Sequence, residues 1–261
     1  MSANQQTLIM IPARLQSTRL PNKSLLPIGS MPMLWHCWRQ ACKANIGEVV
    51  IAAGDQKIAT TMQHLGAQVI LTDPNLQSGS DRIWQAFQKN YKMFENIKFI
   101  VNMQGDLPFI NPNILTDCLN ILKTTKCDIT TPVTKIKSTD ELEAPQTVKV
   151  AIGGFKSYTG QSKHISHARA LYFSRNIIPA NAGPHYHHVG VYAWQLNALE
   201  RFVKLEQSTL EKREKLEQLR ALEAGMHIEA VEVDETPAGV DTLEDYQKIC
   251  NFWENHKDQF A

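Results

Sequence analysis

Apolar positions along the chain fall into two alternating patterns: short unbroken runs, and stripes at helical spacing. Leu8-Ile9-Met10-Ile11, closed by Pro12, is an unbroken run and predicts a strand buried on both faces, as in a parallel sheet. A polar loop occupies 13–30, and a helix is predicted over 34–44. The pattern predicts strands at 48–52, 67–71 and 99–102, and helices at 56–65, 81–93 and 112–124. Ile83, Trp84, Phe87 and Tyr91 fall on or near one face of the third helix, and Pro112 suits the first turn of the fourth.

Strand and helix thus alternate through the first part of the chain, the pattern of a doubly wound α/β sheet with right-handed crossovers. After Ile129 the rhythm changes. Strand-like pieces at 129–133, 148–152, 170–173 and 188–194 follow one another with no long helix between them, which predicts an extension of the sheet carrying a lobe. Ser208 and Glu211 fit a capping box for a single helix running to Ala224, with Gly225 as its stop. A strand over 228–233 and a helix over 242–253 complete the chain.

Composition narrows the class without deciding it. With 261 residues, 43% apolar and 20% charged, the chain reads as one large globular α/β domain or a core with a modest inserted lobe. A net charge of +1 points to neither nucleic acid nor an anionic membrane, so any phosphate affinity has to come from local arrangement. The five cysteines have no metal-type spacing and read as reduced thiols. The N-terminal stretch, Met1 to Thr7, is polar, and the apolar run after it is too short for a signal peptide or a membrane span. A cytoplasmic protein is the expectation.

Candidate chemistry sits at the ends of the predicted strands, where open α/β sheets bind ligands. The loop after the first strand, Pro12-Ala13-Arg14 through Ser17, Thr18, Arg19 and Lys23, holds three cations and two hydroxyls. Arginine offers a fork and lysine a point charge to phosphate oxygens. A solvated basic loop is the plainer alternative, but the position after the first strand favours phosphate. Asn102-Met103-Gln104-Gly105-Asp106 ends the fourth predicted strand; Asp106 there is either a plain cap or loop residue or a Mg²⁺ ligand, since magnesium takes one or two carboxylates and completes its shell with phosphate and water. Asp241, in Gly239-Val240-Asp241-Thr242, is the partner carboxylate and also a candidate N-cap for the last helix. Gln77-Ser78-Gly79-Ser80-Asp81-Arg82 opens the third helix, with Ser80 or Asp81 as its cap and a helix N-terminus that attracts anions. His185, His187 and His188 lack the helical spacing or neighbouring cysteine of a zinc site. They read better as hydrogen-bond donors to a sugar. Within Leu216-Glu217-Gln218-Leu219-Arg220 a solvated charged face is the default reading.

Taken in order, these motifs, together with Ala170-Leu-Tyr-Phe-Ser-Arg175, His188-Val-Gly-Val-Tyr192 and Leu216-Glu-Gln-Leu-Arg220, resemble the 3-deoxy-manno-octulosonate (Kdo) cytidylyltransferases over nearly the whole chain. The resemblance implies a Rossmann-like doubly wound mixed sheet of the nucleotidyltransferase type with a smaller inserted sheet and dimerisation lobe. It implies a nucleotide-binding core at 1–128, a sugar-binding and dimerisation lobe at 129–198, and a C-terminal part at 199–261 that completes the active site. Its expected activity joins CMP from CTP to the anomeric hydroxyl of Kdo, with Mg²⁺ as cofactor and a homodimer as the working form. Pro12, Ala13, Arg14, Ser17, Arg19, Lys23, Ala53, Asp55, Gln77, Ser78, Gly79 and Arg82 are implied to hold the nucleotide. Asp106 and Asp241 are implied to bind the metal, and with Arg14 and Lys23 to carry catalysis. Gln104, Arg175, His188, Tyr192, Glu217 and Gln218 are implied to hold the sugar acid.

Two departures from the family pattern stand out: Leu107 occupies a position that is often acidic, and the stretch between Arg175 and His188 is short. Competing readings are the same chemistry on an 8-amino analogue of the sugar, on sialic acid or on a sugar phosphate, and a non-catalytic nucleotide-binding module on the same fold. A nicotinamide-dependent dehydrogenase is excluded because no GxGxxG follows the first strand.

Overall fold

The computed structural model describes residues 6–17, 19–159 and 164–260, with backbone alone for the last two of these. Most of the polar N-terminal stretch, and the Thr18 hydroxyl, lie outside the described residues. Two compact units are present: Met1–Ile97 with Asn102–Pro112 and Pro237–Ala261, and Lys98–Val101 with Asn113–Thr236.

In the first unit, β1 (Thr7–Ala13) is followed by a 3-10 turn at Lys23–Leu25 and a small antiparallel hairpin, β2 (Pro27–Ile28) with β3 (Met31–Pro32). Next come α1 (Met33–Lys43), β4 (Glu48–Ala53), α2 (Gln56–His64), β5 (Gln68–Leu71) and α3 (Gly79–Lys89). The hairpin lies where the sequence shows only a polar loop, because its two-residue strands are too short to leave a pattern. β4 runs parallel to both β1 and β5, with Ile11 opposite Ile51 and Ala52 opposite Ile70. Leu8 through Ile11 have no exposed surface, as expected of an interior parallel strand. The cap of α3 is Ser78, two residues before the earlier of the two predicted caps: its Oγ accepts from the Asp81 N–H (3.1 Å) and donates to Asp81 Oδ2 (2.9 Å).

The C-terminal helix, Leu243–Phe260, extends well past the predicted end. Its cap is Thr242 and not Asp241: Thr242 Oγ1 accepts from the Asp245 N–H (3.2 Å), and Asp245 Oδ2 accepts from the Thr242 N–H (2.9 Å). That reciprocal pair relieves Asp241 of capping and leaves its carboxylate for other work. Trp253 of this helix closes over the hairpin turn at Gly29, whose φ is +60° and where a Cβ would stand 2.5 Å from the indole nitrogen. His36 and Phe109 pack against the same indole, with ring centroids 4.7 and 5.8 Å away.

The chain passes between the units within β6 (Phe99–Met103). The second unit then holds α4 (Pro112–Thr124) almost entirely, β7 (Ile129–Lys135), the short α5 (Thr139–Glu143), β8 (Lys149–Ile152), β9 (Lys156–Thr159) and β10 (His164–Ser174). β11 (Tyr186–His188), β12 (Val191–Gln195), α6 (Leu196–Val203), α7 (Thr209–Glu214), α8 (Gln218–Glu223) and β13 (Ile228–Glu232) follow, and α9 is the C-terminal helix. β13 is parallel to β7 and antiparallel to β10, while β11 and β12 are antiparallel to β7, so this sheet is mixed.

The single helix predicted over 208–224 is two. Ser208 and Glu211 do form the capping box, but α7 ends at Lys215, which takes a left-handed φ of 57°. The break turns α8 so that Arg220 Nε and Nη2 reach Glu211 Oε2 and Oε1 at 2.8 and 2.6 Å. This pair is buried, with about 7% and 6% of the side chains exposed. The helix propensity of the connecting residues does not prevent the break, and the buried, two-pronged ion pair joins the two helices across it.

Candidate active site

The first unit contains an open cavity of about 310 Å³ at the carboxyl ends of β1 and β6 and the start of α3. Its floor is made by close backbone approach. A Cβ on Gly105 would stand 3.2 Å from the Pro12 carbonyl oxygen and 3.1 Å from Leu34 Cδ1, so any side chain there would press on both. The loop after β1 is pinned at its base, where the Gly54 N–H donates to the Ala13 carbonyl and the Leu15 N–H donates to Asp55 Oδ2, both at 2.8 Å. Asp55 therefore acts on the loop main chain and not on the cavity wall. Ala53 is buried, and its carbonyl accepts from both the N–H and the hydroxyl of Thr72 (2.8 and 2.9 Å). Gln77 turns back to the Asn75 carbonyl (2.9 Å). These three predicted nucleotide residues do not line the cavity. The other nine do, together with Gln104, Asp106 and Asp241.

At one end of the cavity Lys23 Nζ donates to Asp106 Oδ2 (2.9 Å) and to Asp241 Oδ1 (3.1 Å). Burial opposes its charge, but the two carboxylates outweigh burial and hold the Lys23 pKa above the ordinary lysine value. Arg19 Nη2 reaches the other oxygen of Asp241 at 3.1 Å. Ser24 Oγ meets the Arg14 carbonyl at 3.4 Å, and Ser17 Oγ accepts from the Leu20 N–H at the same distance. Arg82 is 2% exposed, and its guanidinium is committed to the loop after β5: Nη1 donates to Thr72 Oγ1 (2.7 Å) and the Asp73 carbonyl (2.9 Å). Burial and the charge of Arg14 lower its pKa. Gln104 Nε2 donates to Asn102 Oδ1 (3.3 Å).

Asp106 and Asp241 gather on one ammonium, so both lie within reach of a single cation. Their side chains are 29% and 49% exposed and are hard oxygen donors. No set of three or more His, Cys, Asp or Glu side chains forms a metal cage among the described residues. Two open carboxylates in a cationic cavity suit a divalent ion whose remaining ligands come from a bound polyphosphate.

The predicted sugar residues other than Gln104 belong to the second unit. His188 is 8% exposed, and its ring lies between Phe173 (5.0 Å) and Tyr192 (5.5 Å). Burial, with help from His187, pushes its pKa down to about 3, so it is neutral in ordinary buffers. Burial and then Glu217 raise the Tyr192 phenol well above its usual value. Gln218 Nε2 is buried without a hydrogen-bond partner, as expected of a group awaiting a polar ligand.

Arg175 is held by both its main chain and its guanidinium. Glu214 Oε2 accepts from its N–H (3.5 Å), the buried Lys149 donates to its carbonyl (2.9 Å), and Arg175 Nη1 donates to the Pro145 carbonyl (3.1 Å). Lys149 and Glu214 escaped the sequence reading, as did Gln16, Ser24 and Leu76 on the cavity wall. Gln16, between Arg14 and Ser17, and Ser24, next to Lys23, had a local signal.

Residues 8–228 match the family model described as cytidylyltransferase. The 3-deoxy-manno-octulosonate cytidylyltransferase of Paramagnetospirillum magneticum is 46% identical over 241 residues, covering 92% of this chain and 95% of that protein. The Rickettsia bellii enzyme of the same name is 42% identical over 254 residues, covering 97% and 98%. Among solved structures, a CMP:2-keto-3-deoxy-manno-octonic acid synthetase complexed with CTP superposes with a TM-score of 0.84 at 32% identity, covering 96% of this chain and 99% of that one. The ordered motifs, the nucleotidyltransferase-type fold and these matches agree: this chain belongs to the cytidylyltransferase family, among its 3-deoxy-manno-octulosonate cytidylyltransferases.

Proposed function

We propose that the protein activates Kdo for lipopolysaccharide biosynthesis, transferring CMP from CTP to the sugar's anomeric hydroxyl. The observation that carries the site assignment is the convergence of Asp106 and Asp241 on Lys23, within a cavity that also holds Arg14, Ser17 and Arg19. The anomeric oxygen forms a bond to the α-phosphorus, the bond from that phosphorus to the bridging oxygen of the β-phosphate breaks, and pyrophosphate leaves. The hydroxyl gives up its proton to solvent or to the departing phosphate. No covalent enzyme intermediate is required.

Arg14, Lys23 and Ser17 grip the triphosphate, and Ser78 and Gly79 meet the nucleoside at the start of α3. Arg82 and Asp55 shape the loops around them. Asp106 and Asp241 would hold Mg²⁺, which when bound would neutralise developing charge on the phosphate oxygens. Gln104, Arg175, His188, Tyr192, Glu217 and Gln218 hold the sugar acid. The working form is a cytoplasmic homodimer, with 1–128 serving the nucleotide, 129–198 the sugar and dimer contact, and 199–261 completing the site. Among the described residues no helix is long and apolar enough to cross a membrane.

Pyrophosphate release from CTP and Mg²⁺ with Kdo, its 8-amino analogue and sialic acid tests the proposal. Release with Kdo that stops on chelation is the expected result. Turnover of the 8-amino sugar alone would keep the chemistry and replace the substrate. CTP binding with no turnover of any of the three would favour a non-catalytic nucleotide-binding module.

A further inference from the structure

Thr131, in β7, has no exposed surface, and its hydroxyl sits among three polar atoms. Oγ1 is 2.8 Å from the Val191 carbonyl oxygen, 3.2 Å from that of Val189 and 2.9 Å from His188 Nε2. Carbonyl oxygens only accept, and a hydroxyl has one proton. That proton goes to a carbonyl, and the Val191 oxygen is the nearer. Toward the imidazole the threonine oxygen is then an acceptor, so His188 Nε2 carries a hydrogen.

The ring does not carry a second one. It is packed between two aromatic rings with 8% of the residue exposed, and burial disfavours the imidazolium strongly. Among the described residues His188 makes one side-chain hydrogen bond, through Nε2. Nδ1 is therefore a bare lone pair.

We propose that Thr131 is a positioning residue that fixes His188 as its Nε2–H tautomer, so that His188 Nδ1 accepts a hydrogen bond from a hydroxyl of the sugar acid and cannot take its carboxylate. The hydroxyl contact rests on the function proposed above, and the tautomer lock does not. The result reverses the expectation from sequence, in which the histidine donates. It also separates the labour of the site: the carboxylate falls to a cation and His188 selects a hydroxyl. Carboxylate oxygens have no proton to give, so a bare Nδ1 repels them.

Histidine ¹⁵N–¹H correlation spectra of the full-length protein test the lock, with the His188 signals assigned from a His188→Phe variant. The expected wild-type spectrum shows a neutral ring protonated at Nε2. Addition of Kdo with CTP should shift Nδ1 and leave Nε2 in place. Thr131→Val should mix the tautomers and raise KM for Kdo about tenfold, with KM for CTP within about twofold. Thr131→Ser, which keeps the hydroxyl, should restore both readouts.

A ring protonated at Nδ1 in the wild-type protein would overturn the proposal. So would a Thr131→Val variant with unchanged tautomer and unchanged KM for Kdo. Should that variant fail to fold, the wild-type spectrum still decides the tautomer. Absence of Kdo turnover by wild-type protein would overturn the functional reading and the hydroxyl contact, while the spectrum judges the lock separately.

Discussion

Val240 donates its main-chain N–H to the carbonyl of Asp106 at 3.0 Å, fastening the loop that bears Asp241 to the loop that bears Asp106. Leu107, the departure from an often acidic position, is 7% exposed and lies beneath the same contact, where a Cβ on Gly239 would stand 3.6 Å from its Cδ2. The leucine thus packs under the two-loop junction instead of adding a third charge to it. Like charges this close repel, and Lys23 between them offsets that repulsion.

Asp106→Asn keeps the shape and removes one charge. Turnover should fall on the order of 100-fold or more, with unfolding free energy within about 1 kcal/mol of wild type because the side chain is partly exposed. Steady-state pyrophosphate release and urea unfolding measure the two. Near-normal turnover in the folded variant would rule out Asp106 as a metal ligand.

Arg82→Lys tests whether a fork is needed to shape the loop after β5. A lysine cannot reach Thr72 Oγ1 and the carbonyl oxygens of residues 73, 74 and 76 at once. Loss of about 2 kcal/mol of stability and a raised KM for CTP are expected. An unchanged KM for CTP would confine Arg82 to a purely structural role.

His188 makes stability depend on pH. Its folded pKa of about 3 lies below the ordinary 6.5, so between these values the unfolded chain binds a proton that the folded chain does not. Stability is therefore lost as pH falls through that window, by up to about 1.4 kcal/mol per pH unit from this residue. His188→Phe removes the contribution. Its stability relative to wild type should improve by about 2 kcal/mol between neutral pH and roughly pH 4.5, read from urea midpoints. A constant difference at both pH values would show that His188 is not buried neutral.

Glu211→Gln leaves the Arg220 guanidinium buried without its carboxylate, and about 3–5 kcal/mol of stability should go with it. Glu211 Oε2 also accepts from the Ser208 N–H (3.1 Å), so the cap of α7 weakens at the same time. Thermal melts alone and with ligands would show both the loss and any knock-on at Gln218, which opens α8. A variant melting within a degree or two of wild type would mean that the pair contributes little.

The sequence by itself determined the alternating α/β order, the parallel strand at Leu8–Ile11, the capping box at Ser208 and the cluster of cations after β1. These are local facts, since periodicity, caps and charge spacing act over one or two turns of chain. The two metal-type carboxylates were also legible, but only as separate strand-end and helix-start residues. Their meeting on Lys23, 83 and 218 positions away along the chain, is a tertiary fact. So is the exchange of the last helix's cap from Asp241 to Thr242, which depends on where Asp245 points. The break at Lys215 leaves no trace in the sequence because every residue around it favours helix, and the buried Glu211–Arg220 pair that accompanies it is a tertiary contact. The hydrogen-bonding sense of His188 is a tertiary matter for the same reason. A histidine's pattern along a chain says nothing about which nitrogen bears the proton, and the contact proposed to decide it comes from a threonine 57 residues away.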